Sequence, residues 1–294
     1  MSKRPFREAL ASDDFIVTAE IEPPKGIDIS ALLHHVDLLK DITDGLNVTS
    51  NPRAIMRLSS MAACHLVQER GGEAILQLTC RDQNRISLEA ELLGASVLDI
   101  HNVLCLSGDP IGSGDHPDAT PVFDIDSVGL LQIIEKMKQG SDSAGNKLDS
   151  AVNFCTGAAI SPESDPMEAQ IAILGKKRAA GIEFVQTQVV YDLDRFEKFM
   201  NMAREYPVKI LAGIMPLTSA NMGRFLNNYV AGINVPEELI KELGASSKKE
   251  ASTTGIRIAA RMIRHLRKKN ICDGIHIMAM GKPEIIPQIL SLSS

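Results

Sequence analysis

Runs rich in β-branched and aliphatic residues alternate with helix-patterned runs along the whole chain. The strand candidates number eight and lie at residues 15–22, 45–50, 74–80, 99–108, 151–159, 182–190, 208–215 and 274–280. The helix-patterned runs between them include residues 29–42, 126–140 and 165–181, and a last helix covers residues 283–293. Strict alternation of strand and helix predicts a parallel sheet.

Eight strand–helix units in about 250 residues are the content of a closed (β/α)8 TIM barrel. A doubly wound open sheet is the competing topology, but no Gly-x-Gly-x-x-Gly motif follows the first strand. Because no Pro- or Ser-rich linker divides the chain, we predict an α/β fold with a single barrel domain over residues 1–294. Within it we expect an N-terminal lead-in at residues 1–14 and an extra helical segment at residues 235–269.

Composition narrows the choice of partners and compartment. The net charge of −6 argues against nucleic acid as a main partner, since phosphate binding needs a basic surface. No apolar run reaches the roughly 18 residues of a membrane span, and the charged N-terminus lacks a signal-peptide core. The five cysteines have no Cys-x-x-Cys spacing, which disfavours a zinc or iron–sulfur site. We therefore expect a cytoplasmic protein without a bound metal.

The first strand carries two acidic residues in the segment TAEIEPPKG (18–26). Successive side chains of a strand point to opposite faces. The apolar set would face the helices and comprises Phe15, Val17, Ala19 and Ile21. The other set would face the barrel axis and comprises Ile16, Thr18, Glu20 and Glu22. Glu20 would then lie partly desolvated at the carboxyl-terminal mouth, where a carboxyl group can act as a general acid. The plainer alternative is that both acids are solvated rim charges.

Other polar residues fall at matching places along the chain. Thr49 ends the second strand, Asp109 follows the fourth, and Gln186 and Gln188 alternate inward on the sixth if Thr187 faces outward. Lys177 lies on the preceding helix, in a Lys-Lys-Arg run that would ordinarily be solvated. Each residue could equally cap a turn, bind a loop or face water. Their convergence on one end of the barrel favours a polar, concave site for a small molecule.

Six segments, taken in order, resemble the motifs of the methylenetetrahydrofolate reductase family. They are AEIEPPKG, DGLNVTSNPRA, LQLTCRD, VLCLSGDP, KKRAAGIEFVQTQVVYD and LAGIMPLTS. The fifth, which resembles a Lys-x-x-x-Ala-Gly…Thr-Gln-x-x-x-Asp signature, is the most specific. The resemblance spans nearly the whole chain and implies a (β/α)8 barrel of the short bacterial form.

The resemblance also implies a chemistry and a set of site residues. The activity is FAD-dependent reduction of 5,10-methylenetetrahydrofolate to 5-methyltetrahydrofolate, with Glu20 as general acid and Asp109 as a second catalytic residue. The implied cofactor contacts are Thr49, Gln77, Ser107, Gly108, Asp109 and Lys177. The implied folate contacts are Glu20, Asp109 and Gln188. An oligomer is expected, with electrons supplied by NADH, NADPH or a partner subunit.

Three residues depart from the family pattern, and the third of them leaves the electron donor open. Gln77 stands where a histidine is common, Ser107 where arginine precedes Gly-Asp, and Ala220 where an aromatic ring is common. Loss of such a ring would remove about 0.5–1.5 kcal/mol of stacking. Two other classes of protein stay possible from the sequence. One is a pterin-binding methyltransferase barrel without flavin, and the other is a non-catalytic subunit that holds flavin or folate.

Overall fold

Eight parallel strands close into a barrel in the order in which they occur in the chain. The structure is a computed structural model, and it describes residues 4–247 and 250–293. The strands are β1 (Ile16–Ile21), β2 (Gly45–Val48), β3 (Ala74–Thr79), β4 (Asn102–Leu106), β5 (Cys155–Ile160), β6 (Phe184–Val189), β7 (Lys209–Ile214) and β8 (Gly274–Ile277). Since β1 pairs with both β2 and β8, the prediction of a (β/α)8 barrel is confirmed and the open sheet is excluded.

Helices surround the barrel, with one before β1 and the others after strands along the chain. They are α1 (Phe6–Ala11), α2 (Ser30–Leu39), α3 (Ser60–Glu69), α4 (Arg85–Val97), α5 (Ser127–Lys138), α6 (Met167–Ala179), α7 (Leu193–Ala203), α8 (Ala220–Tyr229), α9 (Glu237–Ala245), α10 (Ala251–Lys268) and α11 (Ile286–Ser293). Helix α1 lies within the predicted lead-in, and α9 and α10 lie within the predicted extra segment. None of the helices in the described ranges is long and apolar enough to cross a membrane.

The strands are shorter than the sequence predicts where the backbone turns. Strand β4 was expected over residues 99–108, but Asp99 (φ 58°) and Gly108 (φ 100°) have left-handed conformations that end it on both sides. Strand β5 begins at Cys155 instead of residue 151. Hydrophobic content therefore located the strands, whereas left-handed turn residues fixed where β4 stops.

The alternation predicted for β1 is present in the structure. Val17, Ala19 and Ile21 belong to the layer between the strands and the helices, and Phe15 packs against the same layer. Ile16 instead joins the cluster inside the barrel. The side chain of Glu20, four residues further on, therefore points to the axis at the other end of the strand.

Helix α1 closes the amino-terminal end of the barrel. Phe6 is fully buried, and its ring meets that of Phe184 edge to face, with ring centroids 5.1 Å apart. Gly157 makes room for Phe184, since a Cβ at position 157 would lie 2.2 Å from that ring. The interior at this end thus contains a packed apolar cluster.

The five cysteines are buried, free thiols. Burial raises the pKa of Cys80 and of Cys155 to about 12, so both stay protonated near neutral pH. A protonated, inaccessible thiol is a poor nucleophile.

Candidate active site at the carboxyl-terminal mouth of the barrel

A cavity of about 340 Å³ opens at the carboxyl-terminal ends of the strands. Its size is typical of small-molecule sites, and its position is that of the active sites of barrel enzymes. Seven of the eight predicted site residues line it: Glu20, Thr49, Gln77, Ser107, Gly108, Asp109 and Gln188. They come from different strands or from the loops that follow them, and closure of the barrel brings them together.

Glu20 lies near the end of β1 with its carboxyl group in the cavity. Its side chain is 28% exposed, and its Oε1 lies 3.8 Å from Nε2 of His276, whose side chain is 4% exposed. The carboxyl group is therefore reachable from the cavity and has a buried imidazole beside it. This geometry allows Glu20 to exchange a proton with a bound molecule.

A layer of buried polar side chains lies within the barrel and reaches Glu20 through His276. Thr18 Oγ1 lies 3.0 Å from His276 Nδ1 and accepts a hydrogen bond from Gln186 Nε2 at 3.1 Å. The amides of Gln186 and Asn47 bind each other through two hydrogen bonds of 2.7 and 2.8 Å. Because all four side chains are buried and mutually bonded, the layer is a rigid base for the cavity.

Glu22 occupies the rim and has a separate set of partners. Its carboxylate lies 2.7 Å from Arg57 Nη2 and 3.8 Å from Arg53 Nη2. Both arginines and Glu22 line an adjacent cavity of about 290 Å³, to which Glu20 also contributes. The two acids of the segment at residues 18–26 thus have different environments. Glu22 lies among arginines, and Glu20 lies beside a histidine.

Thr49 carries a buried hydroxyl group beside the cavity. Its Oγ1 has no hydrogen-bond partner among the residues that the structure describes. Such a group is costly to bury unless something binds it. A ligand in the cavity is the natural partner, because Thr49 is one of the cavity-lining residues. Gln77, also buried and lining the cavity, lies on the neighbouring strand β3.

The loop after β4 approaches the cavity through its backbone. Gly108 has a φ of 100°, and a Cβ there would lie 2.8 Å from Cβ of Arg81. Only glycine suits this conformation and this close approach. The neighbouring Asp109 accepts a hydrogen bond from the backbone N–H of Arg53 at 2.7 Å, which fixes its carboxylate at the cavity edge.

Arg81 is a buried cation at the mouth that the sequence analysis did not single out. Its Nε and Nη2 each donate to the carboxylate of Asp82 at 2.7 Å. Nη2 also donates to the carbonyl of Asn51, and Nη1 donates to that of Asp109. Burial alone would raise the pKa of Asp82, but hydrogen bonds from Arg81, Asn51 and Thr79 together with the charge of Arg81 outweigh it, and the net shift is downward. This pair joins the loops that follow β2, β3 and β4.

Gln186 and Gln188 both line the cavity, but so does Thr187, which the alternation on the sixth strand would direct outward. The pairing of β6 with β7 shifts register between Gln186 and Val189. Within this irregular stretch the Gln188 side chain accepts a hydrogen bond from the N–H of Val189, and Thr187 Oγ1 accepts one from the N–H of Gly213. The irregularity places consecutive polar residues at the mouth.

Lys177 is buried, contrary to the solvated alternative for its Lys-Lys-Arg run. Its Nζ donates a 2.6 Å hydrogen bond to the carbonyl of Ala159. Burial lowers the pKa of this ammonium group. Lys177 is not among the described residues that line the cavity at the mouth. The cofactor contact that the family resemblance implies for Lys177 stays a prediction.

His276, Arg81 and Asn47 are site residues that the sequence reasoning missed. For His276 a signal existed, since Gly274, His276 and Met278 share the inward face of β8 by alternation. Arg81 gave no such signal. Arginine side chains are usually exposed to solvent, and the burial of Arg81 becomes visible only in the closed barrel.

A closed barrel with a polar, titratable cavity at its carboxyl-terminal mouth defines a (β/α)8-barrel protein with a small-molecule site. The chain belongs to the methylenetetrahydrofolate reductase family, whose sequence model matches residues 5–294. The family resemblance predicted from the sequence is thereby confirmed.

Individual relatives differ in how much of their length this chain covers. It is 27% identical over 202 residues to methylenetetrahydrofolate reductase 2 of Schizosaccharomyces pombe, covering 63% of this chain and 29% of that protein. It is 23% identical over 277 residues to 5,10-methylenetetrahydrofolate reductase of Salmonella typhimurium, covering 92% of this chain and 87% of that protein. The chain thus spans about a third of the length of several eukaryotic relatives.

A solved structure from Clostridium thermocellum has the same fold. It is described as an uncharacterized protein that binds two copies of 5-methyl-5,6,7,8-tetrahydrofolic acid. The match covers 98% of this chain and 96% of the Clostridium chain, with a TM-score of 0.65 and 14% sequence identity.

Proposed function

We propose that this chain binds FAD and reduces 5,10-methylenetetrahydrofolate to 5-methyltetrahydrofolate. Membership of the methylenetetrahydrofolate reductase family supports the reaction. The observation that carries the proposal for this chain is the Glu20 carboxyl, which faces a cavity lined from most of the strands. The folate in the description of the Clostridium protein is consistent with the proposed substrate.

The mouth of the barrel fits a flavin in two respects. The unpartnered hydroxyl of Thr49 offers a hydrogen bond into the cavity. Gly108 lines the same cavity, and its missing Cβ lets the loop after β4 pack against Arg81, which shapes the wall that a flat ring would meet. Residues that would hold the cofactor are therefore Thr49, Gln77, Ser107, Gly108 and Asp109. When bound, FAD supplies the hydride that reduces the methylene carbon.

Glu20 is proposed as the proton donor. The imidazolidine ring of the substrate must open before its methylene carbon can accept a hydride, and protonation of N10 assists that opening. Glu20 faces the cavity, while Glu22 is bound to Arg57 at the rim. Glu20 is therefore the better placed of the two acids to reach a substrate nitrogen.

Asp109 and Gln188 are proposed to orient the folate. A carboxylate accepts hydrogen bonds only, which suits the N–H groups of an aminopyrimidine. The amide of Gln188 both donates and accepts, so it can complement the pterin edge. Both residues line the same cavity as Glu20. Their role is to hold N10 of the substrate within reach of the Glu20 carboxyl.

The supply of electrons is the open part of the proposal. NADH, NADPH or a partner subunit could deliver them, and Ala220 at the start of α8 offers no ring for stacking a nicotinamide. The expected oligomer and cytoplasmic location likewise stay predictions. An anaerobic absorbance titration with NADH and NADPH decides the donor, because rapid flavin bleaching by either would make a partner subunit unnecessary.

Reconstitution tests the proposed function. The purified protein is incubated with FAD, and its absorbance spectrum and turnover of methylenetetrahydrofolate with an artificial dye couple are measured. We expect a yellow protein that forms 5-methyltetrahydrofolate. A protein that stays colourless would contradict FAD binding and favour a methyltransferase barrel. A yellow protein without turnover would favour a non-catalytic subunit.

A further inference from the structure

We propose that His276 is a positioning residue that aims the carboxyl group of Glu20 into the cavity. In this assignment the imidazole donates from Nδ1 to Thr18 and presents Nε2 to Glu20. The catalytic consequence rests on the proposed function, since it concerns the proposed proton donor. The tautomer itself is a property of the chain alone.

The fold places the two residues side by side. Strands β1 and β8 are neighbours, and Thr18 is the register partner of His276. Glu20 lies two residues beyond Thr18, so its side chain points to the same face as that of Thr18. The imidazole thus reaches Thr18 through Nδ1 at 3.0 Å and Glu20 through Nε2 at 3.8 Å. Contacts between catalytic groups are often this long before a substrate is bound.

The hydrogen bonds of Thr18 select the tautomer. Its hydroxyl group has one hydrogen and two lone pairs. The hydrogen is directed to the carbonyl of Ile275 at 3.3 Å, and Gln186 Nε2 donates to one lone pair at 3.1 Å. The second lone pair is left for His276, which must then donate from Nδ1. This arrangement uses all three contacts, whereas the opposite tautomer would compete with Ile275 for the single hydroxyl hydrogen.

The contact with Thr18 leaves Nε2 of His276 to face Glu20. Nε2 and the carboxyl group can share a hydrogen bond whichever of the two carries the hydrogen. The other charged side chains that line the cavity are Arg81 and Asp109. Arg81 is bound to the carboxylate of Asp82, and Asp109 accepts from the N–H of Arg53. His276 is therefore the buried group that faces the Glu20 carboxyl directly.

The proton balance of the step is simple. The O–H bond of Glu20 breaks, an N–H bond forms at N10 of the substrate, and Glu20 becomes a carboxylate. Water at the open mouth returns a proton after product release. The role of His276 in this cycle is to aim the carboxyl group.

Two amide variants separate the contacts of the imidazole. The side-chain nitrogen of asparagine approximates Nδ1, so His276→Asn keeps the contact with Thr18 and loses the one with Glu20. The longer His276→Gln approximates Nε2 and keeps a polar group beside Glu20. We expect His276→Asn to lower kcat for folate reduction by roughly ten- to a hundredfold, with KM little changed, and His276→Gln to lower it less. Equal losses, or a smaller loss in His276→Asn, would overturn the positioning role.

Nitrogen NMR of protein labelled with 15N-histidine tests the tautomer without any activity. We expect the His276 signal to show Nδ1 protonated, with His276→Gln identifying the resonance. A ring whose only hydrogen lies on Nε2 would reverse the Thr18 contact and overturn the inference. If the wild-type protein reduced no folate but showed the Nδ1–H form, the proposed function would fail while the pairing with Glu20 held.

Discussion

At the scale of single residues, Thr49 offers the most direct link between burial and ligand binding. Its hydroxyl is buried without a partner in the described part of the chain and lies beside the cavity. We expect Thr49→Val to weaken FAD binding by about two- to tenfold, the value of one neutral hydrogen bond. The unliganded protein should be as stable as the wild type or slightly more so, because the variant removes an unsatisfied group.

Titration of FAD into the apoprotein and thermal unfolding without FAD measure these two effects. Thr49→Ser is the matched control, since it keeps the hydroxyl group and should keep most of the affinity. Unchanged FAD affinity in Thr49→Val would show that the hydroxyl does not serve the cofactor.

Residue by residue, the sequence indicates side chains whose direction depends only on strand alternation. Glu20 is such a case, since the apolar residues of β1 occupy the face toward the helices and alternation then directs Glu20 to the barrel axis. Lys177 is the opposite case, because a Lys-Lys-Arg run gives no sign that one lysine binds the Ala159 carbonyl beneath a helix. Burial of a charge depends on how elements pack, which local sequence does not encode.

At the scale of elements, the Arg81–Asp82 pair joins three loops at the mouth. Arg81 is 1% exposed, and its guanidinium group reaches Asp82 and the carbonyls of Asn51 and Asp109. Removing the carboxylate would leave a buried cation short of its strongest partner. The loops after β2 and β4 should then lose their common anchor.

Asp82→Asn tests this anchor through pH. The folded pKa of Asp82 lies below its ordinary value of 3.8, so the carboxylate stabilises the fold above pH 3.8 and loses this effect as the pH falls through the folded pKa. We expect the variant to be less stable by about 1.5–3 kcal/mol at neutral pH. The difference should shrink as the pH falls below 3.8.

Urea unfolding as a function of pH measures the difference between the two proteins. Asp118→Asn, at an exposed position of the loop after β4, is the control and should change little. A difference that stays constant from neutral to acidic pH would show that the charge of Asp82 is not what stabilises the loops.

The elements themselves could be predicted because their hydrophobic periods are clear. Seven of the eight strands lie within the segments expected from the sequence, and β5 extends one residue beyond its segment, to Ile160. Helix α1 was not predicted, since six residues in a charged lead-in give no strong periodic signal. Its burial depends on its contacts with the amino-terminal end of the barrel. Elements that exist because of tertiary contacts are the ones that sequence patterns miss.

At the scale of the whole molecule, the two ends of the barrel have separate roles. The amino-terminal end is closed by the apolar contacts of Phe6, and the carboxyl-terminal end holds the polar cavity. This division is general in barrels, where stability and chemistry are placed at opposite faces. A change at the closed end should therefore alter stability without altering the site.

Phe6→Ala tests that separation. Loss of a fully buried ring should cost about 3–5 kcal/mol of folding free energy. Below the unfolding temperature, the KM for folate and the affinity for FAD should match those of the wild type. Phe225→Ala, at a ring that is 56% exposed on α8, is the control and should leave stability nearly unchanged. A large loss of FAD affinity in Phe6→Ala would contradict independent ends.

The central claim, that Glu20 donates the proton for folate reduction, is tested most directly by an anaerobic half-reaction. Protein with its flavin chemically reduced is mixed with methylenetetrahydrofolate, and return of the flavin absorbance is followed in wild type and in Glu20→Gln. The account predicts that the variant reacts about 10²- to 10⁴-fold more slowly, while its flavin is bound and chemically reduced as in the wild type. Return of the absorbance at the wild-type rate in Glu20→Gln would contradict it.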